Sequence, residues 1–243
     1  MKYSEKIERV AELVASKNRI AAFTGAGIST DSGIPDLAGI STILNAEPNF
    51  DGGVFGMLNP TFAINNPALF YDLYRKTFFH PDAKPNPCHT FLSELESQKK
   101  ILGIATMNID CLHQTSGSKN VYEYWGNVQL NHCTNCKRQY DWTIIKENKV
   151  PICETCGSVV IPDFVLRSLA TYSTNVQQGT TLLHQADLIL IAGTKQSRGS
   201  LPSQTSKVII NLEKPYSLDE NTLFIQGNTS KVFSDVSKLY KQL

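Results

Sequence analysis

Four cysteines constrain this chain more than any other feature. Cys133 and Cys136 form one C-x2-C pair, and after sixteen intervening residues Cys153 and Cys156 form a second. Two such pairs present four thiolates as a tetrahedron, the coordination Zn²⁺ prefers, and four protein ligands leave no position open for water. The spacing therefore points to a structural zinc site on a small ribbon, with four free thiols as the plain alternative. The first residues, MKYSEKIERVAELV, carry charges at helical spacing and lack an apolar signal core, so the expectation is an intracellular protein, cytoplasmic or nuclear and not secreted, in which disulfides are rare. Cys88 and Cys111 stand apart from the cluster.

Around the cysteines the chain alternates apolar runs with amphipathic ones. Arg19 to Thr24 (RIAAFT), Ile101 to Thr106 (ILGIAT), Asp187 to Ala192 (DLILIA) and Lys207 to Leu212 (KVIINL) read as buried strands, and Leu223 to Gln226 as a fifth. Ser4 is the expected cap of a first helix with Ile7, Val10, Ala11 and Val14 on one face. Asn66-Pro67 and Asn86-Pro87 announce two more helices, and Ser230 caps a last one. Buried strands separated by helices imply an α/β fold, a Rossmann-like parallel sheet covered on both faces. The polar segment that holds the cysteines interrupts this rhythm. The expected organisation is thus a Rossmann-like domain over 1–130 and 165–243, with a small zinc-binding module inserted at 131–164.

Charge excludes some partners. With 23 Lys+Arg against 22 Asp+Glu the chain carries a net +1, which argues against a nucleic-acid binder, and no apolar run approaches the roughly 20 residues of a membrane span.

Two strand ends carry candidate chemistry. Gly25-Ala26-Gly27-Ile28-Ser29 follows the first strand, where glycines let a backbone approach a pyrophosphate and a following helix aims its free N–H groups at it. Thr30 stands where a third glycine of the dinucleotide fingerprint would fall, so a plain tight turn remains open. Asn108-Ile109-Asp110 ends the second strand, where open α/β sheets place ligands; Asn108 can donate and accept, and Asp110 can accept from ribose hydroxyls or a carboxamide. An Asn/Asp turn after a strand is its bland alternative. Gly193-Thr194 and Asn211 end two further strands.

Taken in order, Gly25 to Ser29, Ser32-Gly33-Ile34-Pro35-Asp36, Pro85-Asn86 with His89, Asn108-Ile109-Asp110 with Leu112-His113, the cysteine quartet, Gly193-Thr194 and Ile210-Asn211 resemble the sirtuin family of NAD⁺-dependent protein deacylases over about residues 20–212. The resemblance implies NAD⁺ as cosubstrate, structural zinc, and an acyl-lysine protein substrate in a cleft between the two domains. It would set Gly25, Ala26, Gly27 and Ile28 at the phosphates and Asp36 in the cofactor loop. Asn108 would meet the nicotinamide ribose, with Ile109 and Asp110 on the carboxamide and Gly193, Thr194 and Asn211 toward the adenosine half.

The departures cluster where the family does its chemistry. Val121-Tyr122-Glu123-Tyr124-Trp125-Gly126 aligns with V-x-E-x-H-G, so Trp125 stands at the place of the base histidine, and an indole only donates. General-base catalysis is worth roughly 10²–10⁴-fold. Ala38 replaces the arginine of I-P-D-F-R-G, Met107 the glutamine of T-Q-N-I-D, and Arg167-Ser168-Leu169 the F-G-E that pairs with substrate backbone. Lys195 replaces a serine, and with Arg198 it can contact phosphate or simply be solvated. Two readings follow: a divergent sirtuin with weak or no deacylation, its activity reduced or turned to ADP-ribosyl transfer or NAD⁺ hydrolysis; or an inactive module that binds NAD⁺ or ADP-ribose as a sensor or scaffold.

Overall fold

The computed structural model describes residues 1–195 and 201–243; the expectation placed on Arg198 lies outside them. Six strands form one parallel sheet: β1 (Ile20–Thr24), β2 (Ile101–Thr106), β3 (Val121–Glu123), β7 (Leu188–Ala192), β8 (Ser206–Asn211) and β9 (Thr222–Gln226), in the order β3-β2-β1-β7-β8-β9. β1 and β7 are buried at every residue, as strands covered on both faces must be. Helices α1 (Tyr3–Ser16), α6 (Pro87–Ser97) and α11 (Thr229–Tyr240) cover one face through Val10, Val14, Phe91, Leu95, Phe233 and Val236. α10 (Ser173–Gln185) covers the other, where Leu182 and Leu183 meet Phe23, Ala105 and Ile191.

A second, antiparallel sheet holds β4 (Asn131–Cys133), β5 (Gln139–Tyr140) and β6 (Val160–Pro162). Its short helices are α8 (Thr143–Glu147) and α9 (Asp163–Leu166). It does not build its core alone. Helices α2 (Leu37–Asn45), α3 (Gly53–Met57), α4 (Pro60–Asn65) and α5 (Pro67–Thr77) pack Leu44, Met57, Phe70 and Tyr74 against Ile145, Ile161, Phe164 and Val165 in one cluster. Arg75 ties the two parts: its guanidinium donates to the carbonyls of Ile145 at 2.9 Å, Asn148 at 2.5 Å and Lys149 at 3.0 Å at the end of α8. α7 (Leu112–Thr115) completes the set.

Three local expectations are corrected. Lys2, not Ser4, precedes α1 as its cap residue. Asn228, not Ser230, caps α11, its side chain accepting from the Lys231 N–H at 2.9 Å; an amide two residues earlier reaches the free N–H that Ser230, already helical, cannot. The third is β3, absent from the sequence reading because three residues on a sheet edge carry too little periodicity.

Candidate functional site

The sheet reverses its winding between β1 and β7, and the turns that leave these two strands interlock. The Gly25 N–H donates to the Ala192 carbonyl at 3.1 Å and the Gly27 N–H to the Gly193 carbonyl at 2.9 Å. A Cβ on Gly27 would lie 2.8 Å from Gly193 Cα, and one on Gly193 would lie 2.4 Å from the Ile28 nitrogen, with φ at +62° besides. The glycines are thus required by close packing of two turns at the switch point, where open α/β sheets bind ligands. No α-helix follows at once: Ala26–Ile28 and Thr30–Ser32 are single 3₁₀ turns, and the N–H groups of Ile28 and Ser29 are taken by the carbonyls of Gly25 and Ala26. This corrects the expected helix N-terminus behind the turn. Asn211 joins the same knot, its amide donating to the Thr194 carbonyl at 3.1 Å.

Ser29 links this knot to the end of β2. Its hydroxyl donates to Asp110 Oδ2 at 2.6 Å and accepts from the Asn108 amide at 3.1 Å, while Asp110 Oδ1 accepts from the Leu112 N–H at 2.9 Å. Asn108 is buried, and its own N–H donates to Thr106 Oγ1 at 3.0 Å. Gly25, Ala26, Gly27, Ile28, Asn108, Asp110, Gly193, Thr194 and Asn211 are therefore gathered at one rim of the sheet. Ile109 turns inward to pack on the second core. Asp36 caps α2 by accepting from the Gly39 N–H at 2.9 Å. The sequence reading named Ser29 only as part of a motif; a hydroxyl directly after a glycine turn was the available signal.

Behind this rim lie two fully buried imidazoles, ring centroids 5.0 Å apart. His89 Nδ1 accepts from the Asn86 N–H at 3.3 Å, and His113 Nε2 sits 2.9 Å from Thr24 Oγ1, which bonds Thr106 Oγ1 at 2.8 Å. Burial holds both neutral, His89 down at about 4 despite the opposing charge of Asp110, His113 well below its ordinary value. Glu123, at the end of β3, is raised by burial against the pull of the Asn127 and Gln114 amides, and Asp110 adds to the rise.

Trp125 follows β3. It is half-buried and packs on the cluster of Phe23, Tyr124 and Leu182. Of the remaining histidines, His80 lies 3.2 Å from the Thr77 carbonyl, His132 Nδ1 lies 3.1 Å from Asp163 Oδ1, and His184 is exposed on α10.

The cysteines form a separate centre. All four Sγ atoms lie within 4.8 Å of one another, with Cys133 and Cys156 at 3.4 Å and Cys136 and Cys153 at 3.6 Å, and none is in a disulfide. Four sulfurs about 2.3 Å from one zinc would stand about 3.8 Å apart, so the set fits the ion. Lys137 and Gly157, each directly after the second cysteine of a pair, share the left-handed conformation at φ +61° and +71°, giving the two knuckles the same turn. The ion would crosslink two loops of a sheet whose own core is only Cys133, Cys153 and Val160, with Tyr140 and Ile144 beside them.

Comparison with known proteins agrees with this geometry. A family model described as the Sir2 family matches residues 25–198. An NAD-dependent protein deacetylase of Clostridium acetobutylicum is 37% identical over 192 residues, 78% of this chain and 78% of its own length. One from Clostridium perfringens is 37% identical over 191 residues, again 78% of each. A solved Sir2 complex with a p53 peptide and NAD⁺ superposes with a TM-score of 0.79 at 28% identity, covering all of both chains.

Proposed function

This chain belongs to the Sir2 family, and on that footing we propose that it is a divergent NAD⁺-using sirtuin whose deacylation of acyl-lysine is weak or absent. Its relatives are NAD-dependent protein deacetylases. One observation carries the reading: the polar set of Ser29, Asn108 and Asp110 is assembled at the winding reversal, while Trp125, which the resemblance sets at the proton acceptor's position, offers an indole.

NAD⁺, when bound, supplies an ADP-ribosyl group with nicotinamide as leaving group. The residues around it act by position. With NAD⁺ bound, the Asn108 amide, held by Ser29, would meet the nicotinamide ribose; Ile109 and Asp110 would hold the carboxamide; Asp36 would lie in the cofactor loop; Gly193, Thr194 and Asn211 would lie toward the adenosine half. The cleft-facing lobe consists of the cysteine module over 131–164 together with α2–α5. Trp125 has no lone pair with which to take a ribose hydroxyl proton, so transfer of an acyl group to the ribose loses its base. Cleavage of the nicotinamide bond depends on the retained set, which leaves ADP-ribosyl transfer or NAD⁺ hydrolysis within reach.

Calorimetry with NAD⁺ and ADP-ribose, and nicotinamide release with and without an acetyl-lysine peptide, test this. The expected result is binding of nucleotide with no peptide-dependent release. Peptide-dependent turnover comparable to that of an active deacetylase would refute the loss of the base, and absence of heat with either nucleotide would refute cofactor binding altogether.

A further inference from the structure

The three-residue replacement Arg167-Ser168-Leu169 lies at the exit of α9, on the second sheet, and Trp125 at the exit of β3, on the first. Arg167 spans the two. Its Nε–H donates to Asp163 Oδ2 at 2.6 Å, its Nη2–H to the Trp125 carbonyl at 3.3 Å, and its Nη1–H to the Ala170 carbonyl. The guanidinium carbon lies 3.8 Å from the centre of the Tyr172 ring. The Tyr172 hydroxyl donates to the same Asp163 oxygen, and the Tyr172 N–H donates to the Tyr124 carbonyl at 2.9 Å. Burial raises the Asp163 carboxyl, but the Tyr172 and Arg167 hydrogen bonds outweigh it and hold the group below its ordinary value. Gly126, at φ +79°, leaves room for the ring: a Cβ there would sit 2.6 Å from Tyr172 Cε2. Ser168 and Leu169 both adopt positive φ, +52° and +59°, to bring the chain round under the arginine.

A guanidinium with every nitrogen engaged, an aromatic ring on its face and a side-chain exposure of 25% is a fixed strut, unlike a solvated arginine. It ties the exit of α9 to the exit of β3, which on the sirtuin reading would be the two walls of the cleft on the Trp125 side. We propose that Arg167 is a specificity-determining residue of this site: it bars an acyl-lysine side chain from the cleft while leaving the nucleotide rim, built from the ends of β1, β2 and β7, open. A neutral acyl-lysine stem would have to break the Arg167–Trp125 bond and lie against a charged group, whereas a long ligand tail is best held by apolar walls. The proposal rests on the sirtuin reading of the cleft, and it supplies a cause for weak deacylation separate from the loss of the base.

Fluorescence anisotropy with a labelled acetyl-lysine peptide tests it directly. Arg167→Ala removes the strut but leaves Asp163 with Tyr172 and His132, so the lobe retains its contacts; Arg167→Met keeps the chain's bulk and removes only its charge and fork. Both variants are expected to bind the peptide at least about tenfold more tightly than the parent, a change of about 1.4 kcal/mol. Equal affinities in parent and variants would overturn the proposal. The kinetic readout is a split: in a Trp125→His background, Arg167→Ala should lower the peptide KM with little change in nicotinamide release without peptide. A gain that appears in kcat alone would also overturn it. Calorimetry of NAD⁺ on the same proteins keeps the two ideas apart, because loss of nucleotide binding alongside a gain in peptide binding sinks the cofactor reading and keeps the strut.

Discussion

Two regions of the molecule, the rim at the ends of β1, β2 and β7 and the turn after α9, are held together by different means. On the nucleotide side, backbone meets backbone at the Gly25–Gly27–Gly193 knot, and Ser29, Asn108 and Asp110 fill one another's hydrogen bonds within a few ångströms. On the side proposed for the peptide, one arginine is held by Asp163, Ala170, the Trp125 carbonyl and the Tyr172 ring, beside two residues in the left-handed conformation. The contrast teaches that one rim of the sheet is set by backbone packed on backbone, while the region beside Trp125 is set by the side chain of one arginine.

The largest test of that contrast removes what supports the peptide side. Chelation of zinc, or Cys153→Ser, should unfold the small sheet and lower the melting temperature by about 10 °C or more, since structural zinc contributes on the order of 10 kcal/mol to such sites; calorimetric scanning would show it, and an unchanged transition would mean that the thiols hold no metal. The nucleotide side is next. Gly193→Ala should cost about 4 kcal/mol or prevent folding, from a clash with the Ile28 nitrogen and a positive φ combined, read from denaturant midpoints.

Acid probes the imidazoles behind the rim. The unfolded chain protonates His89 near pH 6.5, whereas the folded chain resists until about pH 4. Unfolded molecules therefore bind more protons between these values, and stability should fall as pH drops from about 6.5 to 4, by up to about 3 kcal/mol from this residue. His89→Asn, which keeps an acceptor for the Asn86 N–H, should flatten the curve; the same slope in the variant would contradict the assignment. The smallest effect is expected at Lys195, paired with Glu213 at 2.8 Å but with both side chains about 70% exposed (74% and 69%). Lys195→Ala should change stability by less than about 0.5 kcal/mol. A larger loss of NAD⁺ affinity that fades with salt would instead make it a phosphate contact.

Five of the six strands of the main sheet, the cysteine centre and the residues gathered at the sheet's rim were legible in the sequence because each rests on short-range pattern: buried runs, C-x2-C spacing, glycine after a strand. Cap positions at Ser4 and Ser230 were each misread by two residues, since α1 begins directly after Lys2 and the Asn228 side chain takes the first turn of α11. The role of the glycines was legible only in part. Ligand approach was the natural reason, and the structure adds a second turn pressing on them from a strand more than 160 residues away.

The amino-acid order by itself determined the fold class, the metal ligands and the presence of an indole where the family keeps an imidazole, because local periodicity and side-chain chemistry need no partner to be read. Tertiary structure alone decided that helices α2–α5 share a core with the cysteine sheet, that Ser29 joins two strand ends, that the tilted rings of His89 and His113 lie 5.0 Å apart, and that Arg167 reaches Trp125. Each of these is a contact between segments distant in sequence, chosen by packing and hydrogen-bond geometry, which leave no periodic trace along the chain.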